Sequence, residues 1–423
     1  MAATAPPRLA DAGFLGWPET RAVFAALAAA GIEARVVGGA VRNALLGRSV
    51  SDIDLATPAL PQDVIRAVEA AGLKAIPTGI AHGTVTVVAG ERTFEITTLR
   101  KDVETYGRHA RVEFTGDWSA DARRRDFTMN ALYCDAAGNV FDPLGGYPDL
   151  ANGRVRFIGD AAARISEDYL RILRFFRFAA EYGRGAPDAE GLSASVRALA
   201  GLGRLSPERI RHELVRLLVA PRAVEVVGTM FDYGVLVAVL GGVARPALLG
   251  HVAELERALA RQLDPMLRLA ALAVEIPEDA DNLWRRLRLS NNEHARLVRA
   301  AGARDFLAAV RDAAKAECVA KERLYATGEN AYRDLVLLAW ARAGAPGSDA
   351  SWLRLWTLPQ RWAAPTFPLS GDDVMALGVP AGARVGAILR SLEAWWIDGG
   401  FAANESTLRK KLRALVKSSA AGN

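Results

Sequence analysis

The sequence predicts an α+β protein, with an α/β head over residues 1–150 followed by an all-helical remainder to residue 423. Three observations predict it. Strand-like alternation is interleaved with helical stretches up to about residue 150, and helical periodicity dominates from there to the end. Within residues 36–57, VVGGAVRNALLGRSVSDIDLAT, a glycine pair, a short helix and an Asp-x-Asp strand follow one another.

The elements of that segment carry chemistry. Ile32, Ala34 and Val36 alternate with Glu33 and Arg35, which predicts a strand over residues 32–37. Gly38 and Gly39 let the backbone turn sharply and approach a ligand with no Cβ in the way. Residues 40–46 are good helix formers and Gly47 supplies a left-handed stop, so the free N–H groups at the helix start point back to the glycines. That start seats an anion, and Arg42 adds a guanidinium at the same end; together they suit a triphosphate. In Ser51-Asp52-Ile53-Asp54-Leu55 a period of two sets Asp52 and Asp54 on one strand face and sends Ile53 and Leu55 into the core. Paired carboxylates repel unless a divalent cation lies between them, and hard oxygen ligands suit Mg²⁺. Taken singly, a glycine pair is an ordinary strand-to-helix connection and an Asp-x-Asp a solvated turn; their adjacency points to catalysis.

Further strands are predicted over residues 85–88 with a turn at Gly90, over 93–98, over 112–114, and over 131–134 turning at Gly138 into Val140-Phe141. Glu95 alternates with apolar neighbours; it is either a third carboxylate facing the aspartates or an exposed strand residue. Arg123, Arg124 and Arg125 read as a solvated charge run until Asp126, Thr128 and Asn130 are counted, which add acceptors and donors suited to a ribose and phosphates. Asp142-Pro143-Leu144-Gly145-Gly146 is a tight turn closing the head, with a structural role as plausible as a functional one.

In residues 165–178, ISEDYLRILRFFRF, Ser166 is a natural N-cap, and Glu167 and Asp168 suit the positive end of a helix. Asp168 and Arg171, three apart, share a face as a helical salt bridge by default. Their chemistry offers a sharper reading. A carboxylate accepts from an exocyclic amino group and a guanidinium donates to ring nitrogen or carbonyl oxygen, so the pair mimics a Watson–Crick edge that takes cytosine or adenine and refuses uracil and guanine. Phe175, Phe176 and Phe178 are core residues rather than base platforms. Loops are expected at residues 183–190 and 344–349, with no fixed-period repeat.

Composition agrees with a large globular enzyme: 51% hydrophobic, 24% charged, net charge +5 and pI near 9.3. That mild basicity permits a nucleic-acid partner without requiring one. Of the 53 basic residues 46 are arginine, a bias that genomic composition explains as well as phosphate binding does. Cys134 and Cys318 make neither a disulfide framework nor a metal cluster, which fits a reducing compartment. The first residues lack a charged n-region and an apolar h-region, and no run of eighteen apolar residues occurs; a soluble, cytoplasmic protein with no membrane association is expected.

The motifs GGAVRNALLG with DID, RRDFTMNA, DPLGG, EDYLRILRFFRF and SPERI, in this order over nearly half the chain, resemble the class II tRNA nucleotidyltransferases, the CCA-adding enzymes and their bacterial poly(A) polymerase relatives. The resemblance implies a polymerase β-like nucleotidyltransferase head (residues 1–150), a helical neck holding the templating residues (151–220), a helical body (221–345) and a tRNA-contacting helical tail (346–423). It implies Mg²⁺ as cofactor, CTP and ATP as substrates and tRNA as partner. Asp52 and Asp54 would bind two Mg²⁺ ions as the catalytic pair, with Glu95 a possible third carboxylate. Gly38, Gly39 and Arg42 would hold the triphosphate; Arg124, Arg125 and Asp126, with Asn130, would meet ribose and phosphates. Asp168 and Arg171 would be the amino-acid template, supported by Arg174 and Arg177. One departure is visible: Asn43 follows Arg42 where the family usually has Asp, losing a charge but keeping hydrogen-bonding capacity.

Residues 55–88 resemble the CCA-adding type and lack the basic signature of the poly(A) polymerases. Arg100, Asp102, Tyr106 and Arg108 lie in a polar loop resembling the flexible loop that switches from C to A addition, which favours a complete enzyme over one adding only CC. No His-Asp dyad occurs, so no appended phosphohydrolase domain is expected. In the C-terminal half, residues 367–378, the turn Gly378-Val379-Pro380-Ala381-Gly382 and a helix over 385–396 resemble the family's tail, and Arg409, Lys410, Lys411, Arg413 and Lys417 form a basic end that meets tRNA or is simply solvated. The rivals are a poly(A) polymerase, a partial CC- or A-adding enzyme, and, from another class, a catalytically idle RNA-binding protein, against which the intact Asp52 and Asp54 argue.

Overall fold

In the computed structural model, residues 5–106 and 109–420 are described, with side chains left aside at 102–112 and 418–420. They form two compact units, residues 1–241 with 286–288, and residues 242–285 with 289–423.

The first unit is built on a mixed sheet of β1 (Arg35–Val37), β2 (Ile53–Thr57), β3 (Lys74–Gly79), β4 (Thr84–Ala89), β5 (Arg92–Thr98), β8 (Tyr133–Cys134) and β9 (Val140–Phe141) in the order β3-β4-β5-β2-β1-β8-β9. A separate hairpin pairs β6 (Arg100–Tyr106) with β7 (His109–Phe114). Period-two alternation sends Ile53, Leu55, Val85, Val87, Phe94 and Ile96 to the buried face. There helices α1 (Pro18–Ala29) and α3 (Pro61–Ala70) cover the sheet with Val23, Leu27, Val64 and Val68, all 0–1% exposed. The opposite face carries Thr86, Glu95 and Asp54 side by side, because Thr86 is in register with Glu95 and Glu95 with Asp54.

Several boundaries differ from the sequence reading. β1 spans only Arg35–Val37, since residues 32–34 lie outside its ladders with β2 and β8. β3 was not foreseen; its exposed edge gives no clean alternation. The stretch expected to be a polar loop is the strand Arg100–Tyr106, whose backbone finds its partners on β7. Arg100 donates to the His82 carbonyl; the side chains of Asp102 and Tyr106, and Arg108 altogether, lie outside the described residues.

Helices complete the unit: α2 (Gly39–Leu45), α4 (Trp118–Arg123), α5 (Ala161–Glu167), α6 (Leu170–Tyr182) and α7 (Pro207–Leu218) among them. Phe127, beside the sheet, packs on Phe157, Phe175 and Phe178 at ring-centroid distances of 4.9, 6.5 and 5.0 Å, so the three α6 phenylalanines are core as expected, each at most 3% exposed. Asp142 closes its turn by accepting from the Gly146 and Tyr147 N–H groups at 2.7 and 2.9 Å. Gly146 is required there: a Cβ would stand 2.1 Å from the Thr128 carbonyl oxygen.

The second unit is helical. Its long helix α8 (Ala313–Ala343) breaks at Gly328, which adopts φ 75°, ψ 169°. Helices α9 (Ala383–Asp398) and α10 (Glu405–Ala420) share a core of Val374, Val379, Val385, Ile388, Leu392, Trp396, Leu408 and Leu412. Among the described residues no helix is long and apolar enough to cross a membrane.

Candidate active site

A cleft of about 630 Å³ in the first unit is lined by Gly38, Gly39, Asp52, Asp54, Arg124, Arg125, Asp126, Asn130, Asp168, Arg171, Arg174 and Arg177, together with Arg42, Asn43, Tyr182, Arg209 and Arg216. Every residue given a catalytic or nucleotide-binding role by the family resemblance, Glu95 excepted, therefore faces one space. Eight arginines against four aspartates give this lining a net charge of +4, complementary to a nucleoside triphosphate.

The floor is the glycine turn. Gly38 takes φ 71°, ψ −117°, open to glycine alone, and a Cβ there would lie 3.7 Å from Arg125 Nη1. A Cβ on Gly39 would lie 3.7 Å from Arg42 Nη2, so two guanidinium groups converge where the backbone is bare. Arg42 is only 7% exposed and its hydrogen bonds go to neutral oxygens: Asn130 Oδ1 at 2.5 Å, Tyr182 Oη at 2.7 Å and Asn43 Oδ1 at 3.2–3.3 Å. Burial pulls its pKa down, opposed by the Tyr182 hydroxyl and the more distant Asp126. A desolvated cation without a carboxylate in hydrogen-bond reach favours an incoming anion.

Asp54 lies in β2, in register with Val37 and Glu95, while Asp52 sits just before the strand. Both carboxylates are exposed to the cleft side. Burial first, then Glu95 and to a lesser extent Asp52, push the Asp54 carboxyl up to about 6 against the pull of Arg125. Among the described residues no three or more His, Cys, Asp or Glu side chains form a cage for a metal ion. The donor set fits Mg²⁺ nonetheless, because that ion is commonly held by one or two carboxylates with water and substrate phosphates filling the rest.

The arginine run is organised by a residue that the sequence reading passed over. Asp121, on α4 and 1% exposed, accepts from Arg124 Nε at 2.7 Å, Arg125 Nη2 at 3.1 Å and the Tyr133 hydroxyl at 2.8 Å. Burial opposes its charge, yet Arg125 and Arg124 hold it below the usual carboxylate range. Its spacing of three and four from the arginines was the available signal. Arg123 points to solvent. Asp126 is buried; it accepts from Asn130 Nδ2 at 2.9 Å, the Phe127 N–H at 2.8 Å and Arg174 at 2.5 and 2.8 Å. Burial works against this carboxylate too, but Arg174, Asn130 and the amide draw it down to about 2.

Asp168 and Arg171 line the same cleft without touching each other through a salt bridge. Asp168 is not in a helix: it ends α5 in extended backbone (φ −152°, ψ 107°), accepts from the Leu170 N–H at 3.1 Å and from Arg209 Nη2 at 2.6 Å. It, and not Ser166, provides the side-chain acceptor at the start of α6; the Ser166 hydroxyl donates back to the Ala163 carbonyl at 2.7 Å. Arg171 donates to Glu167 and to the Arg164 carbonyl at 2.7 Å. Arg174 and Arg177 both meet Glu213 of α7, Arg177 by a hydrogen bond and Arg174 at 3.6 Å. Arg209 falls within the SPERI motif, but nothing local in the sequence shows what Tyr182, Arg209 or Glu213 holds, since their partners lie 36 to 140 residues away.

Residues 34–156 match the family described as the poly A polymerase head domain, and residues 190–245 the one described as a probable RNA and SrmB-binding site of polymerase A. The chain is 36% identical over 390 residues to the mitochondrial CCA tRNA nucleotidyltransferase 1 of Danio rerio, covering 86% of this chain and 83% of that protein. It is 34% identical over 378 residues to the CCA-adding enzyme of Geobacillus stearothermophilus, covering 86% and 88%. Its fold matches the crystal structure of the Bacillus stearothermophilus CCA-adding enzyme in complex with CTP with a TM-score of 0.71 at 28% identity, over 96% of this chain and 98% of that one. By these likenesses and the cleft that its motifs build, the chain belongs to the class II CCA tRNA nucleotidyltransferase family.

Proposed function

We propose that this protein adds the 3′-terminal CCA sequence to tRNA from CTP and ATP, without a nucleic-acid template. The observation that carries the reading is the meeting, in one cleft, of a carboxylate pair, a bare glycine turn flanked by arginines, and Asp168 with Arg171. Gly38, Gly39, Arg42 and Arg125 hold the triphosphate. Arg124 and Asn130 meet the ribose and phosphates, with Asp126 orienting Asn130 and Arg174. Asp168 accepts from the exocyclic amino group and Arg171 donates to the neighbouring ring nitrogen or carbonyl, while Arg174 and Arg177 support the nucleotide or primer end. Asp52 and Asp54 would hold Mg²⁺, which when bound lowers the pKa of the attacking 3′-hydroxyl and neutralises the leaving pyrophosphate.

The four-part division into head, neck, body and tail at residues 150, 220 and 345 belongs to the same proposal. In the tail, Leu408 and Leu412 are 0–2% exposed, so truncating α10 would open the core; charge reversal at the exposed Lys410, Arg413 and Lys417 tests tRNA contact instead. Cytoplasmic location is likewise a proposal, tested by cell fractionation, because the Danio rerio relative is named as mitochondrial.

The deciding experiment supplies one labelled nucleotide at a time to tRNAs ending before CCA, after C and after CC. Incorporation of C, C and A that then stops supports the reading; long A tracts indicate a poly(A) polymerase, C alone or A alone a partial enzyme. Asp168→Ala and Arg171→Ala should relax selection toward U and G, and unchanged selectivity would reduce the two side chains to structural ion-pair partners.

A further inference from the structure

We propose that Arg209 is a positioning residue for base selection, fixing the Asp168 carboxylate in the orientation that reads the amino group; the inference rests on Asp168 being the base-reading acceptor. Asp168 lies in the break between α5 and α6, in extended backbone, so no helical turn restricts its side-chain rotamer. Two anchors take that role. The Leu170 N–H holds Oδ1 at 3.1 Å, and Arg209 Nη2, from α7, holds Oδ2 at 2.6 Å. The N–H comes from the same short turn and moves with it, whereas Arg209 is an external reference.

α7 is itself tied to α6. Glu213, one turn beyond Arg209, bonds Arg177 and lies 3.6 Å from Arg174, so the helix that aims Arg209 is registered on the helix that carries Arg171. Arg171 is locked separately, by Glu167 and the Arg164 carbonyl. The spacing between acceptor and donor, which a Watson–Crick edge must match, is therefore set by two clamps on different partners, Arg209 for Asp168 and Glu167 for Arg171. Tyr169 supplies a second fixture for the Asp168 peptide: its ring lies on Gly201, where a Cβ would stand 2.0 Å from it.

The test is single-nucleotide incorporation of C, A, U and G by Arg209→Met, Arg209→Lys and Gly201→Ala, beside Asp168→Ala and wild type, with melting temperatures recorded. The expected result is misincorporation of U and G raised about tenfold by Arg209→Met, the scale of one charge-assisted hydrogen bond. Arg209→Lys should return part of the selectivity, and Gly201→Ala should relax it too, by displacing Tyr169. If Asp168→Ala relaxes selection while Arg209→Met slows all four nucleotides in proportion, or raises KM for all four equally, Arg209 acts on rate or triphosphate binding and the inference is overturned. If Asp168→Ala leaves selection unchanged, the base-reading role itself fails and the inference with it.

Discussion

Asp126 and Arg174 meet at a single oxygen, with Arg174 Nε and Nη2 donating to Asp126 Oδ2 at 2.8 and 2.5 Å across 48 residues of sequence. This contact ties the arginine run beside the sheet to α6, the helix that carries Arg171. The depressed Asp126 pKa, about 2 against an ordinary 3.8, makes it a pH-dependent support. A carboxylate with a lowered folded-state pKa contributes stability that is present above its unfolded value and lost as pH falls through the folded one. The expected loss is on the order of 2 kcal/mol between about pH 4 and pH 2. Denaturant unfolding of wild type and Asp126→Asn across that range checks it: the variant should lack this part of the acid slope, and parallel curves would contradict the assignment.

Tyr182 stands at the far end of the same helix and holds Arg42 twice, by its hydroxyl at 2.7 Å and by its ring, 4.1 Å from the guanidinium. Tyr182→Phe removes the first and keeps the second. KM for CTP and ATP should rise together by about tenfold, the worth of one hydrogen bond to a charged group, with base selectivity unaltered. Steady-state kinetics with both nucleotides decides it; an unchanged KM means Arg42 is held well enough by Asn43 and Asn130.

Gly146 approaches the Thr128 backbone too closely for any side chain. Gly146→Ala should cost about 1–3 kcal/mol and should also lower activity, because relieving the clash moves the segment bearing Asn130. Thermal melts and addition assays on one preparation would show it. Wild-type stability would mean that the Asp142 turn gives way without effect.

Asp54→Asn should lower nucleotide addition by about 10³-fold or more, the scale of losing a principal electrostatic group in a reaction centre. Folded stability should not fall, since the change relieves repulsion from Glu95, its register neighbour. A melting temperature well below wild type would show that the carboxylate has a structural role instead.

The local parts of the site were legible because their chemistry is written at short spacing. Gly38 needs its positive φ wherever the chain runs, and period two alone brings Asp54 to the open face of β2. The core role of Phe175, Phe176 and Phe178 follows from their surroundings on an amphipathic helix. Asp121 was legible in principle, three and four residues before the arginines that it orders. The strand Arg100–Tyr106 was not, since a polar segment becomes a strand only when a partner such as β7 satisfies its backbone.

By itself, then, the sequence determined the glycine turn, the carboxylate pair, the arginine run and the family to which their order belongs, because each depends on neighbours within a few residues. Only the tertiary structure decided how they are held: Asp168 by Arg209, Arg171 by Glu167, Arg42 by Asn130 and Tyr182, Arg174 by Asp126. The physical reason is reach. Side-chain clamps act over about 3 Å in space, and all but one of these join residues separated by 41 to 140 positions along the chain.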